Sequence, residues 1–393
     1  MSPTAALTAG CPALRFPGKF ADIAALNCGQ PQLLRPVFDR RATHHPAGDS
    51  DREIALVLGA NGFVGAHLVA ELSRRPEIRK VYAAVRRTAD VAGLTRLRAT
   101  FNQYRVDDVD LDKIVVTAAD LTQTQFGLPD ADYAGLLDET DLVFNCAGPT
   151  DHTKSYLELR TDWVLSLLRV LQFSIERRPK HLTYLGSVGS RCYRDHDDFH
   201  RPDSWWYSGY CQMKWVNGEL LRGLFDIDDF HITLCEAPQI LGSTTVGLDP
   251  RRRYSWWRLI DLAASAGAIW NGPGMSYLPV DVLTDVLVSN ATADQPLQYL
   301  LPRNPIGYHN DIFADLLGLD MVDWPEFVRL VSSRVSPGYQ NTLLSSDVDA
   351  LIRLVNQPGA ALPPGHDPSW CDTRSLLRMY LQNIGIRASR KIA

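Results

Sequence analysis

Tyr210 and Lys214 stand four residues apart in the stretch SGYCQMKW. On a helix that spacing puts both side chains on one face. A phenol ordinarily titrates near ~10, and an ammonium beside it favours the phenolate, which tunes the hydroxyl as a general acid. The pair follows a strand-like run that ends in Gly186 and Ser187, and Ser187 can offer a second hydroxyl to the same carbonyl oxygen. Ser187, Tyr210 and Lys214 are therefore the catalytic candidates. The chemistry they suit is hydride exchange at a carbonyl, with two hydroxyls on the oxyanion.

A hydride carrier has its own signature upstream. Residues 54–58 (IALVL) form a run of five apolar residues, as expected of a buried parallel strand. Gly59, Gly62 and Gly65 follow, then 66–72 (AHLVAEL) with helical apolar spacing. Strand, glycine turn and helix open a dinucleotide-binding βαβ unit: Gly59 permits the turn, Gly62 admits a pyrophosphate, and Gly65 lets the helix pack on the strand. The helix start, with Asn61, Phe63 and Val64, offers free N–H groups to phosphate. The spacing is G-x-x-G-x-x-G; a ligand-free α/β turn is the alternative.

Arg86 and Arg87 come directly after a second strand, 80–85 (KVYAAV). An acidic residue there would hold ribose hydroxyls, whereas arginine suits a 2′-phosphate. The expected cofactor is thus NADPH, against two solvated arginines. Asp120, followed by Leu121, closes a third strand and can either accept from an adenine amino group or cap the next turn. Asn145 in FNCAG can hold a water or backbone near the nicotinamide, or cap structurally; Ala147 follows it in the same turn.

The elements needed to position these residues are legible. Further strands are expected at 114–117, 142–146, 181–185 and 231–235, and a helix at 156–171. The alternation predicts an α/β fold with a doubly wound parallel Rossmann sheet and right-handed crossovers. After Gly242 the strand rhythm breaks, and helices are expected at 256–268, 312–317, 324–335, 347–354 and 372–384. The expected organisation is an N-terminal arm (1–50), an NADPH-binding Rossmann domain (51–245) and a smaller, mainly helical C-terminal substrate region (246–393), part of it returning to the core near 278–288. The arm is rich in proline, and Leu26, Leu33, Leu34 and Phe38 can anchor it against the main domain.

Composition narrows the rest. The chain has 393 residues, 45% hydrophobic and 22% charged, which is ordinary for a globular protein. A net charge of −5 gives no footprint for nucleic acid. Seven scattered cysteines with no C-x-x-C read as reduced thiols rather than a disulfide frame or zinc site. No apolar run approaches the ~20 residues of a membrane span, and no leader-like start is seen, so a cytoplasmic location is expected. The acidic and histidine-bearing run 195–200 reads as a solvated loop, with no metal needed. Trp205, Trp206 and Tyr207 suit either an acyl pocket or a packed loop, while Trp256 and Trp257 read as core.

Together these residues resemble the extended short-chain dehydrogenase/reductases, and within them the thioester reductases, the terminal reductase domains of nonribosomal peptide and polyketide synthetases. The resemblance runs from about Ile54 to Val288: GANGFVGAHLVAEL is similar to the family's cofactor loop, VYAAVRR to its arginine-ended strand, and RLRATFNQY, which holds Arg96, to the segment after it. AADL, YLELRTDWV, LGSVGS, GYCQMKWV, APQILG and LPVDVL extend it. The chain departs from the pattern at Trp163, where the family usually has Asn, at Glu236, where Arg is common, at Glu219, five rather than four past Lys214, and at 149–153.

The resemblance implies reduction of a thioester, carried by phosphopantetheine on an acyl or peptidyl carrier protein, to an aldehyde and onward to an alcohol if a second round occurs. Without adenylation or carrier signatures, a free-standing reductase or an excised terminal domain is expected. Arg251, Arg252 and Arg253 form either a solvated turn or a contact to an acidic carrier. Three rival readings remain: a nucleotide-sugar epimerase or dehydratase, a carbonyl or imine reductase, and a non-enzymatic Rossmann binding protein. No membrane or nucleic-acid partner is expected.

Overall fold

The computed structural model describes residues 52–86, 93–149, 154–190, 209–225, 230–247, 255–274, 276–303, 309–335 and 372–387. In chain order the first half runs β1 (Ile54–Leu58), α1 (Phe63–Arg74), β2 (Lys80–Val85), α2 (Gly93–Tyr104), β3 (Ile114–Ala118), α3 (Asp130–Glu139), β4 (Leu142–Asn145), α4 (Tyr156–Leu159), a π turn (Arg160–Val164), α5 (Leu165–Ile175) and β5 (His181–Leu185). The second half runs α6 (Gly209–Arg222), β6 (Ile232–Cys235), β7 (Gln239–Leu241), α7 (Ser255–Ala266), β8 (Ala268–Trp270), β9 (Tyr277–Pro279), α8 (Val280–Ala291), β10 (Tyr299–Leu300), α9 (Asp311–Leu317), β11 (Asp320–Val322), α10 (Trp324–Val331) and α11 (Thr373–Ile384).

Seven parallel strands form the main sheet in the order β10-β6-β5-β4-β1-β2-β3. The doubly wound fold is as the alternation predicts. Its direction of winding reverses between β1 and β4, which leaves a crevice beyond their carboxyl ends, where such folds bind ligands. The register sets Leu58 beside both Ala84 and Asn145, so three strand ends meet at that crevice.

Successive residues of β1 serve opposite faces. Leu56 and Leu58 join the core made by α5 and α6, with Leu167, Val170, Leu171, Trp215 and Leu220. Ala55 and Val57 join the core of α1 and α8, with Leu68, Val69, Leu72, Leu283 and Leu287. A third core gathers Trp257, Ile260, Trp270, Phe313, Phe327, Leu377 and Tyr380. Trp257, read as core from its helical setting, is 1% exposed.

Several boundaries differ from the sequence expectation. The first helix starts at Phe63 rather than at 66, because Gly62 ends the turn in extended backbone and the helix needs no side-chain cap. The fourth strand stops at Asn145 and the sixth starts at Ile232. The helix expected over 156–171 reaches Ile175 and is interrupted by the π turn. The helix expected over 324–335 gives way after Val331 to a 3-10 turn, and the one expected over 256–268 ends at Ala266 because Gly267 turns left-handed (φ +72°) into β8. Strand rhythm does not end at Gly242: β8 pairs with β11, β7 with β9, and β10 adds the seventh strand. The arm, the helix expected over 347–354 and the side chain of Trp256 lie outside the described residues.

Candidate active site

Gly59 follows β1 with φ +83°, a conformation that side chains rarely adopt. A Cβ there would also lie 2.9 Å from the Ala147 backbone, so the turn rests directly on the β4 loop. The Gly62 N–H donates to the Gly59 carbonyl at 2.9 Å. A Cβ on Gly65 would fall 2.1 Å from the same carbonyl, which is why α1 can start so close to the strand end. The first helical bond is Ala66 N–H to Gly62 at 2.9 Å, leaving the Phe63, Val64 and Gly65 N–H groups at the helix start without an earlier helical carbonyl. Those three residues can offer backbone only: the Phe63 ring packs edge-on against His67 and Tyr104, with centroids 5.0 Å away in each case.

A cleft of about 310 Å³ opens at this turn. Gly59, Asn61 and Gly62 form its floor with Ala147, and Arg86, Arg96, Asp120 and Leu121 stand on its walls. Arg96 Nη1 donates to the Arg86 carbonyl, which ties α2 to the end of β2. Asp120 accepts from the Thr122 hydroxyl at 2.7 Å and the Thr122 N–H at 3.0 Å. Those bonds hold its carboxyl below the usual range, with Arg86 and Arg169 adding smaller pulls. Asp120 thus caps its turn and also faces the cleft. Asn145 is 4% exposed, and its Oδ1 accepts from the Ala147 N–H at 3.2 Å, the structural capping alternative. Arg87 lies outside the described residues, as do 195–200, Trp205, Trp206, Tyr207 and Arg251, Arg252 and Arg253.

The catalytic candidates lie beyond the residues that line this cleft, and Gly148 brings its wall to Lys214. Gly148, on its wall, faces Lys214: a Cβ there would lie 3.3 Å from Nζ. Lys214 is 6% exposed; Nζ donates to the Leu185 carbonyl at 2.7 Å and to the Tyr184 hydroxyl at 3.5 Å, and sits 5.0 Å from the centre of the Tyr184 ring. Ser187 lies near enough to Tyr210 for its hydroxyl to pull the phenol's titration down. Ser187 Oγ also accepts from the Gly189 N–H at 3.2 Å, in the 3-10 turn Val188–Ser190 that follows β5.

The electrostatics depart from the simple pairing. Burial pushes Tyr210 up, and the opposing pulls of Lys214 and Ser187 do not cancel it. Burial likewise pushes Lys214 down, against Tyr210 and Cys146. Desolvation therefore outweighs the ammonium beside the phenol, and Tyr210 is held as a protonated donor. Cys146 is pushed up to about 12 by burial, which makes it an inert thiol on the cleft wall.

Other supporting residues carry no sequence signal of their own. Asn217, one turn beyond Lys214, donates through Nδ2 to the Tyr184 hydroxyl at 2.8 Å and to the Trp163 carbonyl at 3.0 Å. Glu236, fully buried, accepts from Ser190 Oγ at 2.7 Å and Arg222 Nη2 at 2.6 Å, and from the Tyr299 hydroxyl. Its charge, unexpected from the resemblance, is met by Arg222 on α6. Among the described residues no group of three or more His, Cys, Asp and Glu is placed to hold a metal, and no helix is long and apolar enough to cross a membrane.

Comparison with known proteins places the chain among others of similar sequence and fold. Aldehyde reductase lnbA of Aspergillus flavus is 25% identical over 280 residues, covering 67% of this chain and 28% of that protein. The nonribosomal peptide synthetase FrzA of a Cladobotryum species is 27% identical over 255 residues, 61% of this chain and 25% of that protein. The chain thus spans roughly a quarter of these curated relatives. The fold is shared with the terminal R domain of the myxalamid PKS-NRPS biosynthetic pathway, with a TM-score of 0.70 and 19% identity over 90% of this chain and 98% of that one. The family described as male sterility protein matches residues 57–287, from the first strand through the glycine turn and the Tyr–Lys helix to α8. That match takes in more than half of the chain, which therefore belongs to the male sterility protein family.

Proposed function

We propose that the protein uses NADPH to release a carrier-bound acyl or peptidyl thioester as an aldehyde. The observation that carries this reading is that the cleft lined by the glycine turn and two arginines also reaches Gly148, whose Cα faces Lys214 Nζ, so the cofactor turn and the Tyr–Lys helix adjoin. The residues present fit a dinucleotide: Gly62 leaves the floor without a Cβ, and the helix start offers N–H groups to phosphate. Arg86, with Arg96 bracing its backbone, supports a 2′-phosphate at the β2 end. Asp120 and Leu121 would flank an adenine, and the loop of Asn145 and Ala147 would lie on the nicotinamide side.

When bound, NADPH supplies a hydride to the thioester carbonyl carbon. Ser187 and Tyr210 donate hydrogen bonds to the oxygen as charge develops there. Tyr210 then gives that oxygen its proton, the hemithioacetal collapses, the C–S bond breaks, and aldehyde and thiol leave. Lys214 holds the ribose and restrains Tyr210. The raised titration of Tyr210 suits this direction, since a donor must still hold its proton at neutral pH.

The carrier reading rests on the resemblance to terminal reductase domains and on relatives named as synthetases. The test presents one acyl group on a carrier protein, on a pantetheine mimic and as free aldehyde, following NADPH loss and thiol release together. Thiol release matched to NADPH oxidation, with the carrier form best at low concentration, is the expected result. Turnover of free carbonyls alone, with no thiol from any thioester, would make the protein a carbonyl reductase.

A further inference from the structure

Lys214 is buried where its charge is costly, and two acceptors share the load: the Leu185 carbonyl at 2.7 Å and the Tyr184 hydroxyl at 3.5 Å. A carbonyl has a fixed place on β5. A phenol hydroxyl rotates, and its lone pairs face Lys214 only if something else fixes it. Asn217 supplies that fixing contact. It lies three residues after Lys214 and seven after Tyr210 on α6, hence on the same face. It is 1% exposed, and its amide forks: one N–H goes to the Tyr184 hydroxyl at 2.8 Å, the other to the Trp163 carbonyl at 3.0 Å. A carbonyl can only accept, so Trp163 fixes which end of the amide is NH₂. Asn217 Oδ1 is buried without a hydrogen-bond partner among the described residues, so the amide is held by its donors.

The far end of the fork is equally informative. Trp163 belongs to the π turn that interrupts the helix between α4 and α5, and π turns gather at functional sites. Its side chain lines the cofactor cleft. Asn217 therefore joins a wall of that cleft to the phenol that receives Lys214.

We propose that Asn217 is a positioning residue for Lys214, acting through the Tyr184 hydroxyl and braced by the Trp163 carbonyl of the π turn. The proposal rests on the cofactor reading above, because Lys214 matters only if a ribose and Tyr210 need it. The ionisable groups that bear on Lys214 are Tyr210 on its own helix, Cys146 beyond β4 and Tyr184 on β5. Among the described residues no carboxylate is one of them, and the two hydrogen-bond acceptors of the ammonium, the Leu185 carbonyl and the Tyr184 hydroxyl, are neutral. Loss of the Tyr184 contact lets Lys214 give up its proton at lower pH.

The experiment compares wild type with Asn217→Leu, Tyr184→Phe and the double variant. Asn217→Leu removes both donors at similar volume. Tyr184→Phe keeps the ring under Nζ and deletes only the hydroxyl. NADPH dissociation constants are measured without substrate from pH 6 to 10, and kcat with saturating NADPH and an acyl-pantetheine thioester over the same range. The expected result is that the alkaline limb of both profiles moves about one pH unit lower in each single variant, the scale of a hydrogen bond to a charged group, and no further in the double. A merely structural amide would lower melting temperature and yield while leaving the limb in place. Unchanged limbs in Tyr184→Phe, or shifts that add in the double, overturn the proposal. If Asn217→Leu does not fold, Tyr184→Phe decides alone. Wild type that fails to bind NADPH at any pH refutes the cofactor reading, and the proposal falls with it.

Discussion

Tyr210 is both an acid and a packed ring, and the two can be separated. Tyr210→Phe keeps the ring and removes the hydroxyl that Ser187 acts on. The expected outcome is nearly intact NADPH affinity and a turnover lower by about a hundredfold or more, the usual scale for a positioned acid or oxyanion donor. Isothermal titration and initial rates on the same preparation check it. Arg86 offers the complementary separation. It is exposed at the cleft wall, so Arg86→Ala should weaken NADPH by roughly tenfold while leaving NADH little changed. Parallel titrations with both cofactors decide this, and an equal loss for each would remove the 2′-phosphate from the account. Much at this scale was readable beforehand. Gly59, Gly62, Arg86 and Asp120 sit in motifs whose spacing has a physical meaning, and the fold brings them to one cleft, with Arg96, named through the resemblance, on its wall. Asn217 and Tyr184 were not readable, and Glu236 showed only as a departure from the resemblance, because each acts through a partner distant in sequence. A helical Asn announces nothing until the strand opposite it is known.

Among the elements, α6 has the least freedom. Its first residue, Gly209, abuts the start of α4: a Cβ there would lie 2.3 Å from Ser155 C and Tyr156 N. Both neighbours are backbone, and Ser155 is locked in a capping box with Glu158. Gly209→Ala must therefore push the two helix starts apart, with Tyr210 one residue away. The expected cost is about 1–3 kcal/mol of stability, in line with overpacking elsewhere, and a loss of kcat larger than any change in NADPH affinity. Differential scanning calorimetry and a kcat-against-KM comparison test this; unchanged kcat would show that α6 absorbs the shift without moving the phenol. The longer elements were legible for a plain reason. β1, β2 and β5 are apolar runs between breaks, and their ends follow from composition. The two- and three-residue strands β7 to β11 are too short for any period to register, and they form because the helices around them have already packed.

For the molecule as a whole, acid stability is written into β5, the strand just before Ser187. His181 opens β5 and is 4% exposed, with Nδ1 3.3 Å from the Ala291 carbonyl and Nε2 2.9 Å from Thr233 Oγ1. Burial lowers its pKa to about 3. The unfolded chain, titrating near ~6.5, binds a proton that the folded chain refuses, so stability is complete above pH ~6.5 and declines as pH falls towards ~3. The slope from this one group reaches about 1.4 kcal/mol per pH unit. Urea unfolding at pH 4.5, 5.5, 6.5 and 7.5 should show that decline, and His181→Gln should flatten it; an unchanged slope would assign the acid sensitivity to other groups.

The way α8 is threaded matters during synthesis. Leu283 and Leu287 cover the face of the sheet that α1 lines with Leu68, Val69 and Leu72, and β10 then closes the edge beyond β6. All of this arrives after the whole of 255–274 has been translated. A nascent chain that has just finished β6 therefore holds a complete glycine turn and Tyr–Lys helix, yet still exposes an oily sheet face and an unpaired strand edge. Ribosome-bound chains halted near 245 should recruit chaperones, and those halted after β10 has left the exit tunnel should not.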